Sequence, residues 1–412
     1  MSFQQGLSGL NASAKNLDVI GNNVANASTV GFKGSQTLFS DIFAGSLSGA
    51  GGVDIGIGTN STVVQQFSQG NITATNNGLD LAINGKGFFR VSDNGTTYYT
   101  RNGQFQLDKN GYVVTNSGAN VTGYGATSTG AITKGSLTNL QVNTSSLPPA
   151  VTSSISMSVN LDATSSAATG SFDPADPATY TSSTSMSIYD SQGNAQTLSY
   201  YFAKTASNSW DVYGVLTNPA GTQTTLNGGA SMGTLTFSAS TAALTSSTVA
   251  IPAITAAELG TGAAALASIT PSFTGTTQYG STFAVNTVSQ DGYASGSMTG
   301  FSIGADGIIK GRYSNGQTLS LGQVLLDDFK NPQGLKPLGN GLWSETAASG
   351  QPLPGEPSSG SMGSIQSSAV EESNVDLTAE LVNMITAQRS YQASAQSIKT
   401  QDQVLQTLVN LR

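Results

Sequence analysis

Near the start of the chain Phe3, Leu7, Leu10, Ala14 and Leu17 recur at alternating spacings of four and three, which sets them on one stripe of a helix. The stripe stops at Gly21-Asn22-Asn23. The same pattern returns at the other end through Leu377, Leu381, Met384, Tyr391, Ala395, Ile398, Leu405 and Val409, with polar Gln388 and Asp402 in two in-register positions. Asp376 stands just before this second stripe and suits an N-cap, because its carboxylate can accept from the first-turn amides that lack a partner inside the helix. At roughly 1.5 Å per residue the C-terminal helix would be about 50 Å long and the N-terminal one about 30 Å. Two arrangements are open for such helices. Either they stay frayed in a free monomer and order when many copies pack, or they pack as core helices on the rest of the chain.

Between the stripes the pattern is strand and turn. Asn-Gly pairs at 94/95, 102/103 and 110/111, then Ser117-Gly118, separate the segments 88–92, 96–101, 104–108 and 112–115. Asn-Gly suits the positive φ of type I′ hairpin turns, so the spacing predicts a β-meander. A second set follows late in the chain, at 301–303, 308–313 and 318–326, punctuated by Asp306-Gly307 and Asn315-Gly316. The stretch 146–287 differs: Ser, Thr and Ala dominate, and no charged residue occurs between Asp211 and Glu258. Its short runs at 185–189, 198–202, 210–216 and 235–238 suggest a separate all-β domain inserted into the first. A Gly/Ser/Pro-rich stretch at 349–364, carrying Pro352, Pro354 and Pro357, reads as a linker. The expected fold is therefore mainly β with α-helical termini. A first β domain (71–145 with 288–363) carries an inserted barrel- or sandwich-like domain (146–287), a linker (364–374) leads into the last helix, and residues 1–24 pair with 375–412.

Composition narrows the chemistry. Of 412 residues only 9% are charged, against about 25% in an average globular protein. Cys and His are both absent, which excludes disulfides, thiolate nucleophiles, Ser-His-Asp and Cys-His triads and His-ligated metals. An enzyme built from this chain would need paired carboxylates, Lys or Tyr. A formal charge of −8 with no basic run argues against a nucleic-acid partner. The first twenty residues lack the basic and apolar regions of a cleaved secretory signal, and no run approaches the roughly 18 apolar residues needed to span a bilayer. Yet sparse charge, no Cys and Ser/Thr/Gly/Asn-rich strands are the composition of an exported surface protein.

The candidate chemical sites are weak. Asp108-Lys109-Asn110-Gly111 lacks the further acidic positions of a calcium loop and reads as a hairpin turn. Gly56-Ile57-Gly58 lacks the third glycine of a dinucleotide fingerprint and reads as a loop. Adjacent Asp327 and Asp328 point to opposite faces of a strand, and the pair reads as a solvated strand end. Trp210 and Trp343 read as core or interface anchors. No catalytic, cofactor or metal site is expected.

The segment Asn22-Asn23-Val24-Ala25-Asn26-Ala27-Ser28-Thr29-Val30-Gly31-Phe32-Lys33 resembles the N-terminal signature shared by the axial proteins of the bacterial flagellum, its rod and hook subunits. The run Glu372-Ser373-Asn374-Val375-Asp376-Leu377, continuing through Ala379-Glu380-Leu381-Val382 to Gln388-Arg389-Ser390-Tyr391-Gln392-Ala393, is similar to the matching C-terminal signature. Two further stretches look like the hook branch of that family: 77–85 with Gly87-Phe88-Phe89, and Tyr313-Ser314-Asn315-Gly316 followed by 321–324 and 329–335. The resemblance covers roughly 1–145 and 288–412; the middle stretch matches by position and composition.

The resemblance implies a subunit that leaves the cell unfolded through the flagellar type III export apparatus, without a cleaved signal, and polymerises outside as a helical tubular homo-oligomer. It implies that the terminal helices, through Phe3, Leu7, Leu10, Leu17, Leu377, Leu381, Met384, Tyr391, Ile398, Leu405 and Val409, form a coiled-coil-like inner domain. Residues 25–70 would be the connecting segment characteristic of hooks, including 38–43 and the Gly-rich 51–58. Asn22, Asn23, Ala25, Asn26, Gly31, Phe32, Asn374 and Asp376 would be the motif positions. It also implies a distal rod subunit, hook cap, hook-length control protein and hook–filament junction protein as partners, with no cofactor, nucleic acid or membrane insertion. The competing class with the same composition is a secreted β-rich carbohydrate-active enzyme or adhesin.

Overall fold

The turns account for much of the composition. At Asn94-Gly95 both residues have positive φ (49° and 85°), and the turn joins strands Phe88–Asp93 and Thr96–Thr100 as the type I′ geometry requires. The other expected turns are built differently. At Asp108 and Thr115 the chain closes over three residues: the amide of Gly111 donates to the Asp108 carbonyl at 3.0 Å, and that of Gly118 to Thr115 at 2.9 Å. Only the glycine of each turn is left-handed. The first side chain completes the loop, since Asp108 Oδ1 accepts from the amides of Asn110 and Tyr112, and Thr115 Oγ1 accepts from Ala119. Thr127–Gly130, Asp190–Gly193 and Asn218–Gly221 repeat the device. Asn102-Gly103 is no hairpin turn at all: a Cβ on Gly103 would lie 1.7 Å from the Leu81 carbonyl oxygen, so glycine is there for a close backbone approach.

The computed structural model describes residues 3–42 and 58–410; Gly56, Ile57 and most of the Gly-rich 51–58 stretch lie outside them. Three α-helices occur among the described residues: α1 (Phe3–Ala25), the single-turn α2 (Ala256–Leu259) and α3 (Leu377–Asn410). Helix α1 runs through Gly21 and ends beyond the Gly21-Asn22-Asn23 stop. Ile20 and Asn23 on that last turn are buried, and tertiary packing of this kind outweighs the roughly 1 kcal/mol cost of a helical glycine.

The chain divides into two compact units. One comprises residues 1–144, 300–312 and 318–412. Its sheet centres on Phe88–Asp93, which pairs with Thr96–Thr100 and Asn120–Ala126. The later strand Thr318–Val324 joins the same sheet beside Asn120–Ala126. The expected single strand 318–326 is broken at Leu325, and Leu326–Asp328 pairs with Phe88-Phe89 on one side and Leu353–Gly355 on the other. The Pro-rich 349–364 stretch thus contributes a strand. Ser364–Ser367 and Ala369–Glu371 then pair with Leu81–Asn84 and Ile72–Ala74. Edge-on aromatic contacts fill the core, with Phe88 5.7 Å from Trp343 and Tyr99 4.7 Å from Phe329 between ring centres.

The other unit comprises residues 145–299 and 313–317. Strands Ser182–Tyr189, Ala195–Ala206, Ser209–Thr217, Gly233–Phe237 and Leu244–Ser247 form an antiparallel meander. Alternate residues such as Leu198, Tyr200, Phe202, Trp210 and Val212 point into one core and are fully buried. The Trp210 indole N–H donates to Gln278 Oε1 at 2.8 Å. The stretches by which the chain enters and leaves this unit are paired, the Leu147 amide donating to the Gly296 carbonyl at 2.8 Å and Ala150 bridging Tyr293.

Candidate functional site

Helices α1 and α3 pack against each other through small residues. A Cβ on Gly6 would sit 2.9 Å from Ile398 Cγ1, and one on Gly9 3.2 Å from Ser394 Oγ. Ala387 is buried and Met384, Ala395 and Ile398 are half-buried on the facing side of α3. The two apolar stripes therefore bury only in part. Leu7, Leu377, Leu381, Tyr391 and Leu405 are exposed, Leu377 by 47% and Leu405 by 53%, while Leu10 and Leu17 are half-buried. The face α1 turns inward carries Ala12, Val19, Ile20 and Asn23 instead. Phe3 and Val409 belong to these helices, but their side chains lie outside the described residues. Val382, Ile385 and Val404, off the 3–4 stripe, are also exposed and widen the apolar face of α3.

At the base of the helices the motif residues converge. Asn23 on the last turns of α1 donates from Nδ2 to the Ser35 carbonyl at 2.8 Å and accepts from the Ser35 amide at 2.9 Å. Its Nδ2 also lies 3.3 Å from Glu380 Oε1 on α3. Asn374 accepts from the Gly34 amide at 2.8 Å and donates to the Gln66 carbonyl at 2.7 Å. Asp376 caps α3, accepting from the amides of Thr378 and Ala379. Asn26 closes the end of α1: its Nδ2 donates to the Asn22 carbonyl and its Oδ1 accepts from Thr29. Gly31 has φ of 72°, and a Cβ there would be 2.6 Å from the Asn102 amide. Phe32 is half-buried, whereas Asn22 and Ala25 are exposed. A groove of about 650 Å³ opens between α1, α3 and the strand Ser35–Ile42, lined by Asn16, Ile20, Asn23, Gln36 and Ala387 among others.

Beneath these contacts lies a buried charge cluster that no periodicity signals. Lys33 Nζ is 2.6 Å from Glu371 Oε1, and Arg101 Nη1 is 3.2 Å from Glu371 Oε2. Lys33 also donates to the Ser68 carbonyl, Arg101 to the Gly85 carbonyl, and the Gly70 amide to Glu371 Oε1. Burial holds both cations below their ordinary pKa values, against the opposing pull of Glu371.

The expected solvated strand end at Asp327-Asp328 is overturned: Asp327 is fully buried, because its strand has neighbours on both edges. Neither carboxylate oxygen has a hydrogen-bond partner among the described residues, and Arg90 Nη1 stands 3.7 Å away. Both tryptophans are core residues. No helix among the described residues is long and apolar enough to cross a membrane.

Four family models match the chain: the flagella basal body rod protein model over residues 3–33, the flagellar hook protein FlgE/F/G D1 domain over 82–162, the flagellar basal body protein FlaE D2 domain over 160–293, and the flagellar basal body rod FlgEFG protein C-terminal model over 366–411. The flagellar hook protein FlgE of Escherichia coli is 42% identical over 420 residues, all of both chains. That of Salmonella typhimurium is 43% identical, again over all of both chains. That of Rhizobium meliloti is 34% identical over all of this chain and 98% of its own. The crystal structure of Helicobacter pylori flagellar hook protein FlgE2 superposes with a TM-score of 0.57 at 15% identity, over 73% of this chain and 100% of that one.

Proposed function

This chain belongs to the flagellar hook protein family, and on that premise we propose that it is the structural subunit that polymerises into the hook, the flexible tubular joint that passes torque from rod to filament. One observation carries the reading. The terminal helices are fixed to each other and to the sheet by small-residue and polar contacts, so their large apolar side chains, Leu7, Leu377, Leu381, Val382, Ile385 and Leu405, are left for other copies. Burial of such side chains contributes about 1.5–3 kcal/mol each, and repeated copies supply the neighbours that one chain lacks. A patch on one face meeting a different face of the next copy generates an open helical polymer.

Membership of the family supports the finer parts of the reading. Export is through the flagellar type III apparatus without a cleaved signal, and the location is outside the cell at the hook. The distal rod subunit, hook cap, hook-length control protein and hook–filament junction protein are the partners. Residues 1–24 and 375–412 serve assembly. Residues 146–287 serve the polymer through Ser/Thr surfaces with few ion pairs, which slide without breaking strong bonds. The secreted enzyme or adhesin alternative rests on composition alone.

The test is sedimentation under polymerising conditions of the full chain beside a version lacking 1–24 and 375–412. The full chain is expected in the pellet and the truncated form in the supernatant. Equal pelleting by both forms refutes the assignment.

A further inference from the structure

Both routes from the helices into the sheet pass through one carboxylate. Lys33 lies shortly after the end of α1 and Glu371 shortly before the start of α3, while Arg101 directly follows the strand Thr96–Thr100 of the central sheet. The side chains of Lys33 and Glu371 are wholly buried and that of Arg101 is 5% exposed. Main-chain bonds reinforce the junction, the Gly31 amide donating to the Glu371 carbonyl at 2.7 Å and the Glu372 amide to the Asn71 carbonyl at 2.8 Å. The Arg101 guanidinium also sits 5.2 Å over the Phe88 ring, tying the cluster to the aromatic core.

Stability alone is a poor reason for this arrangement. Two cations share one anion out of reach of solvent, and Arg101 Nε has no acceptor among the described residues. Desolvating such a group offsets most of its Coulombic attraction, and apolar side chains of similar volume often do as well or better. What an apolar cluster lacks is direction. Both Glu371 oxygens are engaged, one by Lys33 and the Gly70 amide and the other by Arg101. A fork fixed on both sides sets the angle at which each terminal segment leaves the sheet.

We propose that Glu371, with Lys33 and Arg101, is a positioning device that locks the bases of both terminal helices to the sheet in the one geometry that polymerises. This rests on the proposed hook function, and its test separates the two. Glu371→Gln keeps the shape and removes the charge; the triple variant Lys33→Met, Arg101→Met, Glu371→Met removes all three charges; Glu372→Gln, on an exposed neighbour, is the control. Each is made in the full chain and read by sedimentation and by hydrogen exchange of α1 and of the strands in 88–126 and 182–237; the parent, Glu371→Gln and the control, which keep Lys33, are also read by tryptic cleavage after Lys33 by mass spectrometry.

Glu371→Gln is expected to be cut after Lys33 about tenfold or more faster than the parent, because local opening now exposes that bond. It should fail to pellet while both sets of strands keep their protection. The triple variant should also keep strand protection, leave α1 more rapidly exchanging and fail to pellet. If the triple variant polymerises like the parent, or Glu371→Gln pellets with residue 33 still protected, the proposal is overturned. Loss of strand protection at 88–126 in both variants overturns it too, since the cluster would then serve stability. If the parent chain does not pellet, the hook reading fails, and cleavage after Lys33 still reports whether the cluster fixes the helix base.

Discussion

Asp327→Asn tests the electrostatics of the sheet most directly. Asp327 sits between two paired strands, fully buried, its oxygens without hydrogen-bond donors among the described residues and Arg90 3.7 Å away. Burial, with Glu345 adding to it and Arg90 opposing, pushes its carboxyl from 3.8 up to about 6. A carboxyl that binds its proton more tightly in the folded state stabilises the fold when protonated. That contribution is fully present below about pH 4 and is lost as pH rises through about 6. A rise of about two pH units at about 1.4 kcal/mol each corresponds to about 3 kcal/mol lost by pH 7.5. The asparagine variant does not titrate, and whatever its amide costs in that site is the same at every pH. The quantity to measure is therefore a difference of differences: urea unfolding at pH 4.5 and 7.5, followed by Trp343 fluorescence in a Trp210→Phe background so that only the unit containing Asp327 reports. Relative to the variant, the parent should lose about 2 kcal/mol between the two pH values. Parallel pH profiles for the two proteins would falsify the assignment of Asp327 as a buried, proton-binding carboxyl.

Two further outcomes follow from particular contacts. Gly103→Ala places a Cβ 1.7 Å from the Leu81 oxygen, so it should destabilise the same unit by about 3 kcal/mol or more; a urea midpoint within error of the parent would contradict the close approach. Leu381→Ser combined with Ile385→Ser changes two exposed side chains, so the thermal midpoint should stay nearly fixed, within about 0.5 kcal/mol per site, while sedimentable polymer disappears. A variant that still pellets would remove this face of α3 from the assembly surface.

The sequence carried the terminal helices because a 3–4 repeat of apolar residues survives any tertiary context, and it carried the strands because Gly punctuates them. It carried the pairing of the two ends, but not the residues that make the contact. Gly6 and Gly9 make that contact by lacking a side chain, and a residue of no hydrophobicity leaves no mark on a hydrophobic pattern. The stripe of leucines was visible, but the pattern cannot say whether such a stripe faces its own chain or another copy. The turn sites were legible and their type was not, since an aspartate or threonine ahead of x-x-Gly closes a three-residue loop through its own side chain. Asp327 was misread because alternation along one strand does not reveal how many neighbours that strand has. The Lys33–Glu371 contact joins positions 338 residues apart, and only folding brings them together. The asparagines of the end signatures have a physical reason to be there. Asn23 and Asn374 satisfy main-chain groups where a helix gives way to a strand.

The paired stretches at Leu147–Gly296 and Ala150–Tyr293 make the middle of the chain a cassette. Antiparallel partners of this kind hold their Cα atoms about 5 Å apart, so the host sees the same two anchor points whatever is strung between them. Lengthening an already closed insertion adds only about 0.6 kcal/mol of closure entropy per doubling. An epitope, an enzyme or a larger domain whose own termini lie close together can be grafted between Ala150 and Tyr293 while the parts of the chain that carry the terminal helices go unaltered.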